Sequence, residues 1–144
     1  MQRRVLFLCT GNSARSQMGE ALLRKYAGED FQVFSAGAEP KDAVFPPVVM
    51  VMKEIGIDIS SSRPKGLDTY LGHVHFSKVI IVCSEADKKC PQIFGSAQRL
   101  YWPFDDPAAV EGTEGEILEA CRKIRDQIDA KIREWLKEEG LGTV

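Results

Sequence analysis

The stretch Cys9-Thr10-Gly11-Asn12-Ser13-Ala14-Arg15-Ser16 limits the folds open to this chain more than any other. The apolar run Val5-Leu6-Phe7-Leu8 precedes it and predicts a short buried strand. Gln17 to Tyr26 follows with helical composition, and Met18, Ala21, Leu22 and Tyr26 share one stripe. A cysteine therefore stands where a strand ends, a small-residue loop comes next, and an arginine opens a helix.

That arrangement has a chemical meaning. A loop of Gly, Asn and Ser can turn its backbone N–H groups inward, and the helix adds its unpaired first-turn amides and positive dipole end. The product is a cradle for a tetrahedral dianion, built from Thr10, Gly11, Asn12, Ser13, Ala14, Arg15 and Ser16. Arg15 adds a planar fork that can hold two of the anion's oxygens. The same amides, dipole and guanidinium favour a nucleophilic thiolate at Cys9, and the Ser13 and Ser16 hydroxyls are placed to donate hydrogen bonds to the sulfur. A nucleotide-binding P-loop is excluded, because G-x-x-x-x-G-K-[ST] is absent.

A chain of 144 residues predicts one domain over residues 1–144, with a single core. A formal net charge of −2 leaves no basic footprint for nucleic acid. Arg3-Arg4 precedes only four apolar residues, too few for a signal-peptide core, and no stretch approaches membrane-spanning length. A cytoplasmic protein with no membrane partner is expected. In a reducing compartment the four cysteines (9, 83, 90 and 121) suggest catalysis, redox exchange or metal binding before structural disulfides.

Further along, Phe31-Gln32-Val33-Phe34-Ser35 alternates as a second strand, closed by Ala36-Gly37. Pro47 suits the first turn of a helix running from Val48 to Glu54, which Gly56 stops. Ile57-Asp58-Ile59 reads as a brief extended piece, and Leu67 to Leu71 as a helical turn. Val79-Ile80-Ile81-Val82 has the uninterrupted β-branched character of a strand buried on both faces of a parallel sheet. Arg99-Leu100-Tyr101-Trp102 predicts a last strand. Thr113 with Glu116 makes a capping box, and apolar residues at 117, 118, 121, 124, 128, 132, 135 and 136 trace a long helical stripe. Alternating strands and helices imply an α/β sandwich around a parallel sheet, whose ligands bind beyond the carboxyl ends of the strands. Cys9, Cys83 and Asp106 would converge there.

Cys83 and Cys90 stand seven apart, one at a strand end and the other in a polar segment broken by Pro91. They are either a redox pair, which requires the segment to coil or unwind, or two unrelated thiols. Their spacing does not suit zinc. Asp106 is a candidate general acid, because Pro107 restricts it to extended geometry; Asp105 is the rival, and either can be a plain turn former. Cys121 falls on the apolar face of the last helix and reads as core. His73 and His75 lack a third ligand, so no metal site is expected there.

Taken together, the pattern C-x5-R-S after an N-terminal strand resembles the low-molecular-weight protein tyrosine phosphatase superfamily. Residues 9–18 are similar to its thioredoxin-coupled arsenate reductase branch. The likeness extends through Phe34-Ser35-Ala36-Gly37, Gly56-Ile57-Asp58-Ile59-Ser60, Cys83 with Cys90-Pro91, and Phe104-Asp105-Asp106-Pro107-Ala108. It implies a three-layer sandwich with a four-stranded parallel sheet flanked by helices. It also implies a reaction: Cys9 attacks arsenate held by the loop and Arg15, and Asp106 protonates the leaving oxygen. Cys83 then displaces arsenite from Cys9, Cys90 resolves the disulfide, and thioredoxin reduces the Cys83–Cys90 product. No bound cofactor is implied, phosphate or sulfate would mimic the substrate, and a monomer is expected. Two departures from the family stand out. Ala14 replaces a frequent second cysteine outside the relay. Lys65 replaces an aspartate that, with residues matching Asn12, Glu20 and Ser35, holds potassium in some members; its ammonium would supply that charge, so no potassium site is expected. The rival reading is a phosphotyrosine phosphatase using Cys9, Arg15 and Asp106 with water. Against it, Ala108-Ala109 stand where such enzymes carry aromatics, and hydrolysis needs neither Cys83 nor Cys90. Weak activity on small aryl phosphates is expected in either case, and an anion- or redox-sensing module is the non-enzymatic alternative.

Overall fold

The computed structural model describes residues 3–70, 72–84 and 97–141. In chain order these form β1 (Arg3–Cys9), α1 (Arg15–Ala27), β2 (Phe31–Gly37), α2 (Pro46–Glu54), β3 (Lys78–Ile81), β4 (Gln98–Tyr101) and α3 (Glu114–Glu138). Two 3-10 turns lie at Leu67–Thr69 and Pro107–Ala109. The strands make one parallel sheet in the order β2-β1-β3-β4, with Leu6 of β1 opposite Phe34 of β2 and Val79 of β3. The chain leaves β1 for β2 on one side and returns to β3 on the other. That reversal opens a crevice at the carboxyl ends of β1 and β3, where α/β sheets bind ligands.

Both faces of the sheet are covered, which explains the continuous apolar runs. Val5, Phe7, Val33, Ile80 and Val82 face a core shared with Met18 and Leu22 of α1, Val48 and Met52 of α2, and Ile128 and Ile132 of α3. Leu6, Leu8, Ala36 and Val79 face the other way, onto Leu67, Tyr70 and Phe76, where Phe34, Tyr70 and Phe76 meet edge to face. α1 approaches β1 closely, since a Cβ on Gly19 would sit 2.6 Å from Phe7 Cδ1.

Element boundaries shift modestly from expectation. β2 continues to Gly37, and β3 and β4 each begin and end one residue before the predicted runs. Residues 57–59 are not in the sheet. Instead Ile57 N–H donates to Met52 O at 3.0 Å, closing α2, while Ile59 is buried in the core. The capping box at Thr113 and Glu116 forms as read. The α3 stripe also contains the buried Arg125, whose Nη1 donates to Val51 O at 2.8 Å and pairs with Glu54 at 3.0 Å. Arg122 holds the same carboxylate through three hydrogen bonds; it and Arg125 pull Glu54 below its usual range. No helix among the described residues is long and apolar enough to cross a membrane.

Candidate active site

Cys9 is the last residue of β1 and is 2% exposed, with residues 10–14 looping from it to the first turn of α1. Asn12 takes φ 50°, the left-handed conformation, as the one non-glycine among the described residues to do so. Asn tolerates that region because its short polar side chain bonds locally. The turn aims Asn12 N–H at Cys9 Sγ, 3.2 Å away. Beneath it, Asn12 Nδ2 donates to Ser16 Oγ at 2.7 Å, and Ser16 Oγ lies 2.8 Å from Cys9 Sγ. While its oxygen accepts from Asn12, the Ser16 hydroxyl still has its hydrogen free to donate to an ionised sulfur. Asn12 N–H and the Ser16 hydroxyl thus both reach the one sulfur. Of the two hydroxyls expected at the sulfur, Ser16 takes that place, whereas Ser13 lines the cavity above.

Residues 37–45 brace the loop from outside. Ala38 N–H donates to Cys9 O (3.2 Å), Glu39 to Thr10 O (2.8 Å), Lys41 to Gly11 O (3.0 Å) and Phe45 to Ser13 O (2.9 Å). With these carbonyls held outward, the loop amides are turned toward the interior as a nest. Gly37 permits the approach, since a Cβ there would lie 2.6 Å from Thr10 O and 2.8 Å from Asn12 N. Nothing local in residues 38–45 announces this brace, which is built by pairing across β1 and β2.

Above the sulfur is a cavity of about 160 Å³ lined by Cys9, Thr10, Gly11, Ser13, Ala14, Arg15, Lys41 and Asp106. Arg15 is 3% exposed, although it opens a helix. Its Nη1 donates to Phe104 O at 3.0 Å, and Nη2 stands 3.6 Å from Asp106 Oδ2. Asp106 has the extended backbone expected before Pro107 (φ −82°, ψ 110°), and its Oδ1 accepts from Ala108 N–H at 3.0 Å. The carboxylate is thus anchored by one oxygen and turned toward Arg15 by the other. Asp105 is exposed and lines nothing here. Thr10 Oγ1 is buried without a hydrogen-bond partner among the described residues, a lack that an oxyanion in the cavity would meet. Asn12 and Ser16 are fully buried and serve the sulfur rather than the cavity.

Gln17, read from sequence only as a helix residue, ties this loop to the next. Its Nε2 donates to Asn12 Oδ1 and to Arg63 O, each at 3.1 Å. Lys65 N–H donates to Asn12 Oδ1 at 2.8 Å. Lys65 Nζ donates to Arg63 O at 3.0 Å and stands 3.9 Å from Glu20 Oε1, the oxygen that also accepts from Ser35 Oγ. The Lys65 ammonium therefore stands beside the Glu20 carboxylate that Ser35 also engages, while its backbone N–H holds Asn12.

Cys83 lies just past β3, fully buried. Leu8 pairs with Ile81, so Cys9 and Cys83 stand at the carboxyl ends of adjacent strands, across the crevice. Cys83 is disulfide-bonded, while Cys9 and Cys121 are free thiols. Cys90 lies outside the described residues. Burial and the Asp106 carboxylate push the Cys121 thiol up to about 11, which keeps it protonated in the core. His73 and His75 are exposed, and no cluster of three potential metal ligands occurs among the described residues.

A cysteine at the end of β1, under a small-residue loop that opens α1 at the switch point of a four-stranded parallel sheet, defines the class of this fold. The chain matches low molecular weight phosphotyrosine protein phosphatase over residues 4–141 and belongs to that family. Within it, the chain is 42% identical over 134 residues to an arsenate reductase of Halalkalibacterium halodurans, covering 92% of this chain and 95% of that one. It is 39% identical over 131 residues to an arsenate reductase of Bacillus subtilis, covering 91% and 93%. Its fold superposes on that of a thioredoxin-dependent arsenate reductase of Corynebacterium glutamicum with a TM-score of 0.70 at 31% identity. That alignment covers 97% of this chain, which spans only 63% of the Corynebacterium chain.

Proposed function

We propose that this protein is an arsenate reductase that converts arsenate to arsenite through a three-cysteine relay recharged by thioredoxin. One observation carries the reading: Cys9, with Asn12 N–H and the Ser16 hydroxyl at its sulfur, lies under an anion-sized cavity flanked by Arg15 and Asp106. The Cys9 thiolate attacks arsenic, and Asp106 gives a proton to the oxygen that departs as water. The Cys83 thiolate next attacks Cys9 Sγ. The electron pair of the sulfur–arsenic bond stays with arsenic, which leaves as arsenite, and a Cys9–Cys83 disulfide remains. Cys90 attacks Cys83 to release Cys9, and the dithiol of thioredoxin then reduces the Cys83–Cys90 disulfide while becoming oxidised itself. Two thiols supply the two electrons, so the cycle needs no cofactor. Cys83 is disulfide-bonded while Cys9 is free, so Cys83 bonds a cysteine other than Cys9, and the scheme requires that capacity. The relay requires a compartment that keeps thiols reduced, the cytoplasm, and every residue it uses lies on one chain, so a monomer suffices.

Phosphatase chemistry is the minor activity. No aromatic side chain lines the cavity among the described residues, so an aryl ester gains little beyond its phosphate. Lys65 supplies the positive charge behind Asn12. Exchanging potassium for sodium at equal ionic strength is expected to leave the turnover rate unchanged, and a potassium-dependent rise overturns that role. The deciding experiment follows NADPH consumption with thioredoxin and its reductase after arsenate is added. Rapid turnover that collapses in Cys90→Ser supports the relay. Brisk aryl phosphate hydrolysis with no arsenate-dependent consumption refutes it.

A further inference from the structure

One cation at the cavity has no part in that chemistry. Lys41 sits in the outer brace, where its N–H bond to Gly11 O at 3.0 Å fixes its backbone beside the cradle. Its stem lies along the loop: a Cβ on Gly11 would meet Lys41 Cγ, Cε and Cδ at 3.1, 3.3 and 3.4 Å. Gly11 is thus the space the stem occupies. The side chain lines the cavity from an exposed position and makes no ion pair among the described residues, whereas Arg15, deeper in the same cavity, faces Asp106.

We propose that Lys41 is a substrate-binding residue that caps the cradle and selects bare inorganic oxyanions over esters. It rests on the reading of Cys9 as nucleophile. A tetrahedral anion attacked by Cys9 turns three oxygens to the loop amides and Arg15, and directs the fourth, the leaving oxygen, away from the sulfur toward the mouth. In arsenate that oxygen is small and hydrogen-bonding; in an ester it carries the organic group. An ammonium on a flexible stem can fold over the first, gaining charge-assisted hydrogen bonds, but gains nothing from an apolar substituent. The Cys9 cradle alone treats phosphate and arsenate esters and acids alike. The Lys41 cap adds the discrimination that the missing aromatic wall leaves open.

The test compares Lys41→Met, which keeps the stem and drops the charge, with Lys41→Arg. Steady-state arsenate reduction gives kcat and KM, inorganic phosphate as a competitive inhibitor reports anion affinity without turnover, and an aryl phosphate supplies the ester. For an exposed charge engaging an anion, Lys41→Met is expected to raise arsenate KM and phosphate Ki about three- to fivefold, with kcat unchanged. It is also expected to flatten the dependence of KM on salt. Aryl phosphate kcat/KM stays close to wild type, and Lys41→Arg restores the oxyanion constants. Constants within about twofold of wild type, or a fall in kcat alone, overturn the proposal. Cys9→Ser run in parallel separates the two levels: if it still reduces arsenate, the nucleophile reading fails. If it is inactive while Lys41→Met behaves as wild type, only the cap fails.

Discussion

Replacing Asn12 separates the two things it does for the loop. Its φ of 50° is a backbone demand, and its side-chain bonds to Ser16, Gln17 and Lys65 are a packing demand. In Asn12→Ala the left-handed residue costs about 1 kcal/mol. Gln17 keeps Arg63 O and Ser16 keeps the sulfur, so the group left stranded is Lys65 N–H, at about 1–3 kcal/mol. The sum is about 2–4 kcal/mol, a large fraction of the roughly 5–15 kcal/mol of a native domain. Asn12→Gly relieves the backbone demand alone and should be about 1 kcal/mol more stable than Asn12→Ala. Urea unfolding with an m of about 2 kcal/mol per M then places the alanine midpoint about 1–2 M below wild type, with glycine about 0.5 M above alanine. Activity should not follow that order. Both variants lose the donor that orients Ser16 toward Cys9, so arsenate turnover should fall equally in the two. Equal midpoints for alanine and glycine would refute the strain assigned to φ, and a glycine variant with wild-type turnover would refute the role of the Asn12–Ser16–Cys9 chain.

Three further outcomes are expected. Arg15→Lys keeps the charge but loses the fork that reaches Phe104 O and Asp106 together, so kcat/KM for arsenate should drop by about 100-fold or more, read by the coupled NADPH assay. Gly19→Ala forces a methyl to within 2.6 Å of the buried Phe7 ring and should destabilise the fold by about 1–3 kcal/mol; an unchanged melting temperature would show that α1 can shift off β1. Glu54, held below its usual range by Arg122 and Arg125, contributes stability above its unfolded pKa of about 4.3 that disappears as pH falls through the lower folded value. Glu54→Gln should therefore lower the melting temperature at pH 7 and flatten its decline below about pH 4, and a decline as steep as wild type would remove this joint from the acid response.

What could be read from the chain was what repeats locally. The apolar run before Cys9, the small-residue loop, the β-branched residues 79–82 and the Thr113–Glu116 box each carry their own signal, because strand period, helix stripe and capping are set by neighbours in sequence. The placement of Cys9 and Arg15 was legible for the same reason, since both sit on one short strand–loop–helix unit. Arg125 escaped because a charged residue in an apolar stripe looks like an error until Val51 O and Glu54 meet it from another helix. The choice of Asp106 over Asp105 needed the exposure of one and the turn of the other toward Arg15. Residues 38–45 and Lys41 gave no sequence signal at all, and neither did Gln17 as a brace. Their roles come from hydrogen bonds and contacts between segments brought together by the sheet order β2-β1-β3-β4. The sequence alone determined that a cysteine, a small-residue loop and an arginine would share one strand–loop–helix unit. The tertiary structure decided what holds the loop open, what tunes the sulfur and what stands at the mouth, because those contacts join residues that no local periodicity relates.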